Sequence, residues 1–168
     1  MQETIRALLK TDDPKEVETG IRLYRKRYSE TGLFENVVYP GIPAALQAMA
    51  QRGARMFLAT SKPRVFAERI LAHFDLARHF KAIHGAELDG RLASKGELIA
   101  HILKSESISA ASACMIGDRL HDVVGAKANG VRPIGVLWGY GSREELTAAG
   151  ATLLCERPDQ MSRIAIAA

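Results

Sequence analysis

Several features that the 168-residue chain lacks limit the classes of protein to which it can belong. It has only two cysteines, Cys114 and Cys155, and both lie in apolar stretches, which favours buried free thiols over a disulfide. No uncharged run approaches the roughly 20 residues of a membrane span, and the first residues do not form a secretory signal. No Gly-x-Gly-x-x-Gly or Walker-type loop occurs, which disfavours nucleotide-binding proteins built on one. We expect a cytoplasmic protein with no membrane partner.

Charge gives little support for a nucleic-acid partner. The formal net charge is only +4, since 23 lysine and arginine residues face 19 aspartate and glutamate residues. The basic residues are scattered, except for those at residues 22–27 on one predicted helix. A solvated helix face is the simpler interpretation of that run, and a surface that attracts anionic substrates is the alternative. We therefore expect no nucleic-acid partner, and the oligomeric state stays open.

The spacing of apolar residues changes along the chain. The first 32 residues predict helices, because Asp13-Pro14 is a typical helix start and Val17, Ile21 and Tyr24 recur at helical spacing. After a turn at residues 39–43, helices alternate with short apolar runs that predict strands at 54–59, 80–84, 113–117, 132–138 and 151–155. This alternation predicts an α/β fold in which helices cover both faces of a parallel sheet.

Two carboxylates follow the predicted strand at residues 113–117. Asp118 comes directly after that strand, and Asp122 comes four residues later, where a helix over residues 122–129 is predicted. Magnesium takes oxygen ligands and often uses only one or two carboxylates, with water and substrate phosphate completing its shell. Asp118 would bind the metal directly and Asp122 would orient a bound water. The alternative role for Asp122 is to cap its own helix.

Polar and basic residues that suit a phosphate group follow the first predicted strand. Thr60 and Ser61 offer hydroxyl and backbone donors, although they would also serve to cap a helix beginning near Lys62-Pro63. Lys95 precedes a helix and would neutralise phosphate charge, unless it is an ordinary surface lysine. Because ligands of parallel α/β sheets bind beyond the carboxyl ends of the strands, Thr60 and Asp118 are expected to share one site.

Three features follow one another along the sequence, namely Thr60, Lys95 and Gly-Asp-x-x-x-Asp at residues 117–122. In that order they resemble motifs II, III and IV of the haloacid dehalogenase-like (HAD) phosphatase superfamily. The segments at 39–42, 58–63, 126–130 and 139–145 resemble its phosphoglycolate phosphatase and 5′-nucleotidase-like branch. The resemblance runs from about residue 23 to the C-terminus. It implies a three-layer Rossmann-like α/β core at residues 36–168 and part of a helical cap at residues 1–35.

The resemblance also implies an activity, the Mg²⁺-dependent hydrolysis of a small phosphorylated metabolite. Thr60, Ser61 and Lys95 would bind the phosphoryl group, and Lys95 would stabilise its charge. Asp118 and Asp122 would form the Mg²⁺ site, and Lys62 would contact substrate.

The first motif of the family, Asp-x-Asp-x-Thr after the first strand, has no match here. In that motif one aspartate attacks phosphorus and the other acts as general acid and base. Asp12-Asp13 lies in a polar helical stretch, and Glu87 and Asp89 come after the second motif. We therefore expect no appreciable turnover from this chain, which the resemblance identifies as an N-terminally truncated member.

The absence of the first strand has a structural consequence. The family's strand order places it between the strands that precede Thr60 and Asp118, so its loss leaves two inner strand edges unpaired unless they pair directly. The alternative function is a non-catalytic or regulatory module that retains a phosphate and metal pocket. The sequence does not identify the phosphate ester.

Overall fold

In the computed structural model, which describes residues 1–166, the chain divides into two compact units that meet in sequence between Val37 and Val38. The first unit contains α1 (Gln2–Leu9), α2 (Pro14–Glu30) and a 3₁₀ turn at Gly32–Phe34. As the sequence predicted, Asp13 caps α2, since its carboxylate accepts a hydrogen bond from the Lys15 N–H at 2.9 Å. This first unit is therefore helical, as expected.

The second unit alternates strands and helices. Within the described residues its strands are β1 (Phe57–Pro63), β2 (Ala82–Ala86), β3 (Cys114–Gly117), β4 (Arg132–Val136) and β5 (Leu153–Cys155). Its α-helices are α3 (Ile42–Gln51), α4 (Arg64–His73), α5 (Lys95–Ser105), α6 (Leu120–Ala128), α7 (Arg143–Ala149) and α8 (Met161–Ile166). The pairings β1–β2, β3–β4 and β4–β5 are all parallel, which confirms the predicted α/β fold.

Helices cover both faces of the strands, and β3 illustrates why. Ile116 packs into a large apolar cluster with residues of α3 and α8, whereas its neighbour Met115 packs against Ile99 of α5 and Ala126 of α6. Successive side chains of a strand point to opposite faces, so the two apolar clusters lie on opposite sides of the strands. The result is the expected three-layer arrangement.

The strands form two separate sheets. One has the order β1–β2 and the other has the order β3–β4–β5. Both sheets contribute to the same large apolar cluster, which includes Leu58 and Ile83 from the first sheet and Ile134 from the second. Among residues 1–166, however, no strand pairs with the second edge of β1 or with the second edge of β3. The two inner edges have therefore not paired with each other.

Two strands lie later in the sequence than predicted. The segment expected as a strand at 54–59 begins with a turn that closes α3, because Gly53 has a φ of +81° and the Ala54 N–H bonds the Met49 carbonyl at 3.1 Å. The strand β1 therefore begins at Phe57. Similarly, a 3₁₀ turn over Ala77–His79 delays β2, which was expected at 80–84.

The cysteines are free in the described structure, as expected. Cys155 is buried and Cys114 is half-buried, and burial raises the pKa of both thiols. Neither thiol is therefore activated as a thiolate. None of the helices described in residues 1–166 has the length and apolar character needed to cross a membrane.

Candidate phosphate and metal site

The candidate site lies at the carboxyl ends of β1 and β3. Thr60 is the last residue of the regular β1–β2 pairing, opposite Gly85, and Asp118 directly follows β3. The pairing register of β1 with β2 shifts between Thr60 and Pro63, so the regular pairing is interrupted there. Irregularities of this kind redirect side chains at the ends of strands. Thr60 and Asp118 therefore come from the two strands that have unpaired edges in the described residues.

Lys95 connects the two sheets. Its Nζ donates a hydrogen bond to the Ala59 carbonyl of β1 at 2.8 Å and lies 3.0 Å from Oδ1 of Asp122. Both the Lys95 and the Asp122 side chains are only 10% exposed. Because a buried charge requires a partner, this ion pair holds α5 against the start of α6. Lys95 is not the surface lysine that the sequence left as an alternative.

Asp122 has two functions in the structure. Its Oδ1 faces Lys95, and its Oδ2 accepts a hydrogen bond from the Arg119 backbone N–H at 3.1 Å. The helix α6 begins at Leu120, two residues earlier than predicted, so Asp122 caps it from inside the first turn. Since both of its carboxylate oxygens have protein partners, Asp122 is arranged to position Lys95 and α6.

Asp118 is half-buried, and the loop after β4 lies directly against it. Its Oδ2 accepts a hydrogen bond from the Tyr140 backbone N–H at 2.8 Å. A Cβ atom at Gly139 would overlap the Asp118 carboxylate, and a Cβ atom at Gly141 would overlap the Asp118 carbonyl oxygen. The two glycines therefore allow the backbone to approach and orient this carboxylate. Similarly, a Cβ atom at Gly117 would overlap the Asp122 carboxylate.

Glu145 belongs to this region, although the sequence predicted no contact between its carboxylate and α6. Ser142 and Glu145 have the spacing of a capping box, of which one half forms, because Ser142 Oγ accepts a hydrogen bond from the Glu145 N–H at 3.1 Å. The Glu145 carboxylate instead accepts hydrogen bonds from Arg119 Nε and the Leu120 N–H, each at 2.9 Å. Hydrogen bonding to Arg119 holds the pKa of Glu145 below its usual value. Because Leu120 and Glu145 are 25 residues apart in the sequence, no local pattern predicts the hydrogen bond between them.

Thr60, Ser61 and Lys62 lie in the last part of β1. Thr60 is half-buried and its Oγ1 accepts a hydrogen bond from the Lys62 N–H at 3.2 Å, whereas Ser61 is exposed. Among the described residues no side chain caps α4, which begins at Arg64. The capping role left open for Thr60 and Ser61 is therefore not observed.

The candidate site offers the oxygen ligands that Mg²⁺ prefers, but the protein supplies few of them. Within residues 1–166 no group of three or more His, Cys, Asp and Glu side chains is arranged to hold a metal ion. Asp118 offers an oriented carboxylate at a strand end, and Mg²⁺ commonly binds through one or two carboxylates plus water and phosphate oxygens. The residues therefore fit Mg²⁺ only in an arrangement where non-protein oxygens complete the shell.

The two acidic segments considered for the missing motif have local roles in the structure. Asp13 caps α2 in the first unit. Asp89 is in an exposed turn after β2, where its carboxylate pairs with Arg91 at 2.8 Å. Both carboxylates therefore have local structural partners.

The fold and the site together define a three-layer α/β protein with a basic and acidic centre at the carboxyl ends of parallel strands. Residues 1–136 match the haloacid dehalogenase-like hydrolase family, and the chain belongs to that family. The family predicted from Thr60, Lys95, Asp118 and Asp122 is therefore confirmed.

Individual relatives agree with the predicted branch. The chain is 53% identical over 136 residues to a 5′-nucleotidase of Pseudomonas aeruginosa, covering 81% of this chain and 62% of the relative. It is 28% identical over 144 residues to a phosphoglycolate phosphatase of Pseudomonas fluorescens, covering 86% and 53%. Tyrosine-protein kinase PtkA of Mycobacterium tuberculosis is 37% identical over 154 residues, covering 92% and 52%.

Solved structures show the same fold. The crystal structure of a predicted phosphatase from Clostridium acetobutylicum superimposes with a TM-score of 0.84 at 39% identity, covering 97% of this chain and 75% of that one. The chain spans about half to three fifths of the length of the three relatives compared by sequence.

The contact between Gly139 and Asp118 yields a first prediction. We expect Gly139→Ala to displace the Asp118 carboxylate and to lower the free energy of unfolding by about 1–3 kcal/mol, as is usual when a methyl group is forced into a packed site. Gly96→Ala is the matched control, because the nearest atom to its added Cβ lies at 3.9 Å. Urea unfolding measures both, and equal stability of the two variants would contradict the close approach.

The lowered pKa of Glu145 yields a prediction about pH. A carboxylate whose pKa is lower in the folded state than in the unfolded state stabilises the fold above its unfolded pKa, and this stabilisation is lost as the pH falls through the folded value. We expect Glu145→Gln to be less stable than the wild type near pH 6 and to converge with it at acidic pH. Urea unfolding at both pH values checks this, with Glu156→Gln as an exposed control. A constant difference would exclude the charge as its cause.

Proposed function

We propose that the chain provides the phosphate- and magnesium-binding half of a HAD-type phosphatase site. In this proposal residues 36–168 are the α/β core and residues 1–35 are part of a helical cap. The observation that carries the proposal is the buried Lys95 Nζ, which lies between the end of β1 and the carboxylate of Asp122. A fixed, desolvated cation beside a half-buried carboxylate suits a charged phosphoryl group and its metal ion.

Each site residue has a proposed role. Lys95 would bind a phosphoryl oxygen and stabilise its charge, and the Thr60 hydroxyl and Ser61 would donate hydrogen bonds to further oxygens. Asp118 would be the direct protein ligand of Mg²⁺, and Asp122 would contribute by holding Lys95. Lys62 would contact the rest of the substrate. When bound, Mg²⁺ would offset negative charge on the phosphoryl group.

The substrate class is proposed from the relatives. A 5′-nucleotidase and a phosphoglycolate phosphatase both act, by name, on phosphate monoesters of small molecules. We therefore propose a small phosphorylated metabolite as substrate, with a cytoplasmic location. Because the chain spans only part of these relatives, the activity of a whole enzyme does not transfer to it directly.

The nucleophile is the component that the described residues do not supply. The interval between β1 and β3, which separates Thr60 from Asp118, contains no strand among residues 1–166, and so no carboxylate extends from it. We propose that residues 1–168 bind phosphate and Mg²⁺ but do not turn over a phosphate ester. This also makes the alternative function, a non-catalytic or regulatory phosphate-binding module, compatible with the same geometry.

Ligand binding tests the proposed site. We expect inorganic phosphate with Mg²⁺ to raise the unfolding temperature of the chain, because both ligands bind only the folded state. Asp118→Asn should remove the Mg²⁺-dependent part of that increase, whereas Asp89→Asn, in an exposed turn, should leave it unchanged. Calorimetry measures both. No increase with either ligand in the wild type would overturn the site, and aggregation of the chain would favour a fragment that requires its missing part.

Hydrolysis of p-nitrophenyl phosphate tests the absence of turnover. We expect no release of p-nitrophenol above the buffer rate at saturating Mg²⁺, because the described residues place no strand that carries an aspartate beside the second edges of β1 and β3. Asp118→Asn serves as the comparison variant. A Mg²⁺-dependent rate that this substitution abolishes would show that the described residues contain a nucleophile after all.

A further inference from the structure

The loop after β4 presents one exposed aromatic side chain directly beside the candidate site. The Tyr140 N–H donates a hydrogen bond to Asp118 Oδ2 at 2.8 Å, so the backbone of the loop lies against this carboxylate. A Cβ atom at Gly139 or at Gly141 would overlap atoms of Asp118. Of these three consecutive loop residues, Tyr140 alone therefore has room for a side chain, and that side chain is 87% exposed.

The backbone around this tyrosine is held in place at two points. Beyond Tyr140, Ser142 Oγ accepts a hydrogen bond from the Glu145 N–H at 3.1 Å, and the Glu145 carboxylate accepts one from the Leu120 N–H at 2.9 Å. Because Leu120 follows Asp118 by two residues, both points tie the loop to the end of β3. The ring thus extends from a fixed backbone, and a tyrosine loses only the freedom of two side-chain torsions when it contacts a ligand.

The Tyr140 ring is within reach of a molecule bound at Asp118. The Tyr140 nitrogen lies 2.8 Å from Asp118 Oδ2 and an N–Cα bond adds about 1.5 Å, so the Tyr140 Cα is at most about 4.3 Å from that oxygen. The hydrogen bond itself uses only a backbone N–H, which every residue except proline supplies. Holding Asp118 therefore does not account for an aromatic side chain at this position.

We propose that Tyr140 is a specificity-determining residue, whose ring stacks on a planar ring in the alcohol part of the phosphate ester. The proposal rests on the proposed function, because Lys95 and Asp118 with its Mg²⁺ would hold the phosphate end of that ester. The ligand class is a phosphate monoester that carries a planar ring, as a nucleoside monophosphate does. A short polar alcohol part would leave the Tyr140 ring in water and gain nothing from it. Stacking on an aromatic side chain strengthens binding about tenfold or more for any base, because every base has a π-face.

Two ligands that differ only in the base test the proposal with the full chain. Adenosine 5′-phosphate and ribose 5-phosphate share the phosphate and the sugar. In the presence of Mg²⁺ we expect the wild type to bind adenosine 5′-phosphate about tenfold more tightly than ribose 5-phosphate, as measured by calorimetry. Tyr140→Ala should reduce this affinity ratio to about one. The ratio is the decisive quantity, since a change in the phosphate site itself would affect both ligands alike.

Conservative variants separate stacking from simple apolar contact. Tyr140→Phe keeps the ring and should keep the affinity ratio, whereas Tyr140→Leu keeps apolar area without a π-system and should lose most of it. All of these variants keep the backbone N–H that binds Asp118. Leu153→Ala is the matched control, because it removes an exposed apolar side chain at the amino end of β5 and should leave the ratio unchanged.

The results distinguish failure of the proposed function from failure of the role proposed for Tyr140. If inorganic phosphate and both sugar phosphates fail to bind with Mg²⁺, the proposed function is overturned and the stacking role with it. If inorganic phosphate binds but the affinity ratio is about one in the wild type, or is unchanged in Tyr140→Ala, only the stacking role is overturned. An unchanged ratio in Tyr140→Leu would show apolar contact without stacking and would also overturn it.

Discussion

The buried pair of Lys95 and Asp122 is the interaction on which the rest of the site depends. Removing one member of such a pair leaves an uncompensated charge in a poorly solvated environment and typically costs about 3–5 kcal/mol. The same lysine satisfies a carbonyl of β1, and the same aspartate caps α6. One contact therefore joins two helices and two sheets that share no strand pairing. Removing these two charges from water costs free energy, and this cost is offset because each charged atom lies close to a partner of opposite charge.

Close approach of the backbone is the second constraint. The carboxylates of Asp118 and Asp122 are held against glycines that come from different segments of the chain, Gly139 and Gly117. The loop after β4 contributes a backbone N–H to Asp118, and Glu145 stabilises the start of α6 together with Arg119. These contacts fix the orientation of the acidic groups, which would reduce the entropy lost in the proposed binding of a ligand.

Membership of the haloacid dehalogenase-like hydrolase family accounts for the basic and acidic residues grouped at the candidate site. The two sheets are separate, however, and among the described residues no strand joins them. A complete site would need a reacting group between Thr60 and Asp118, in the interval where the described residues place no strand. In the proposed function, binding depends on the side chains that are present, whereas hydrolysis depends on this further group.

The sequence alone determined the alternation of strands and helices, and it singled out Thr60, Lys95, Asp118 and Asp122 as candidates, because hydrophobic period and motif order can be read without the fold. It placed β1 three residues early, since the turn at Gly53 depends on a bond back to α3. Only the tertiary structure decided that Lys95 pairs with Asp122, that Glu145 caps a helix other than its own, and that the edges of β1 and β3 stay apart. Those outcomes depend on contacts between residues distant in the chain, which packing selects and no local pattern encodes.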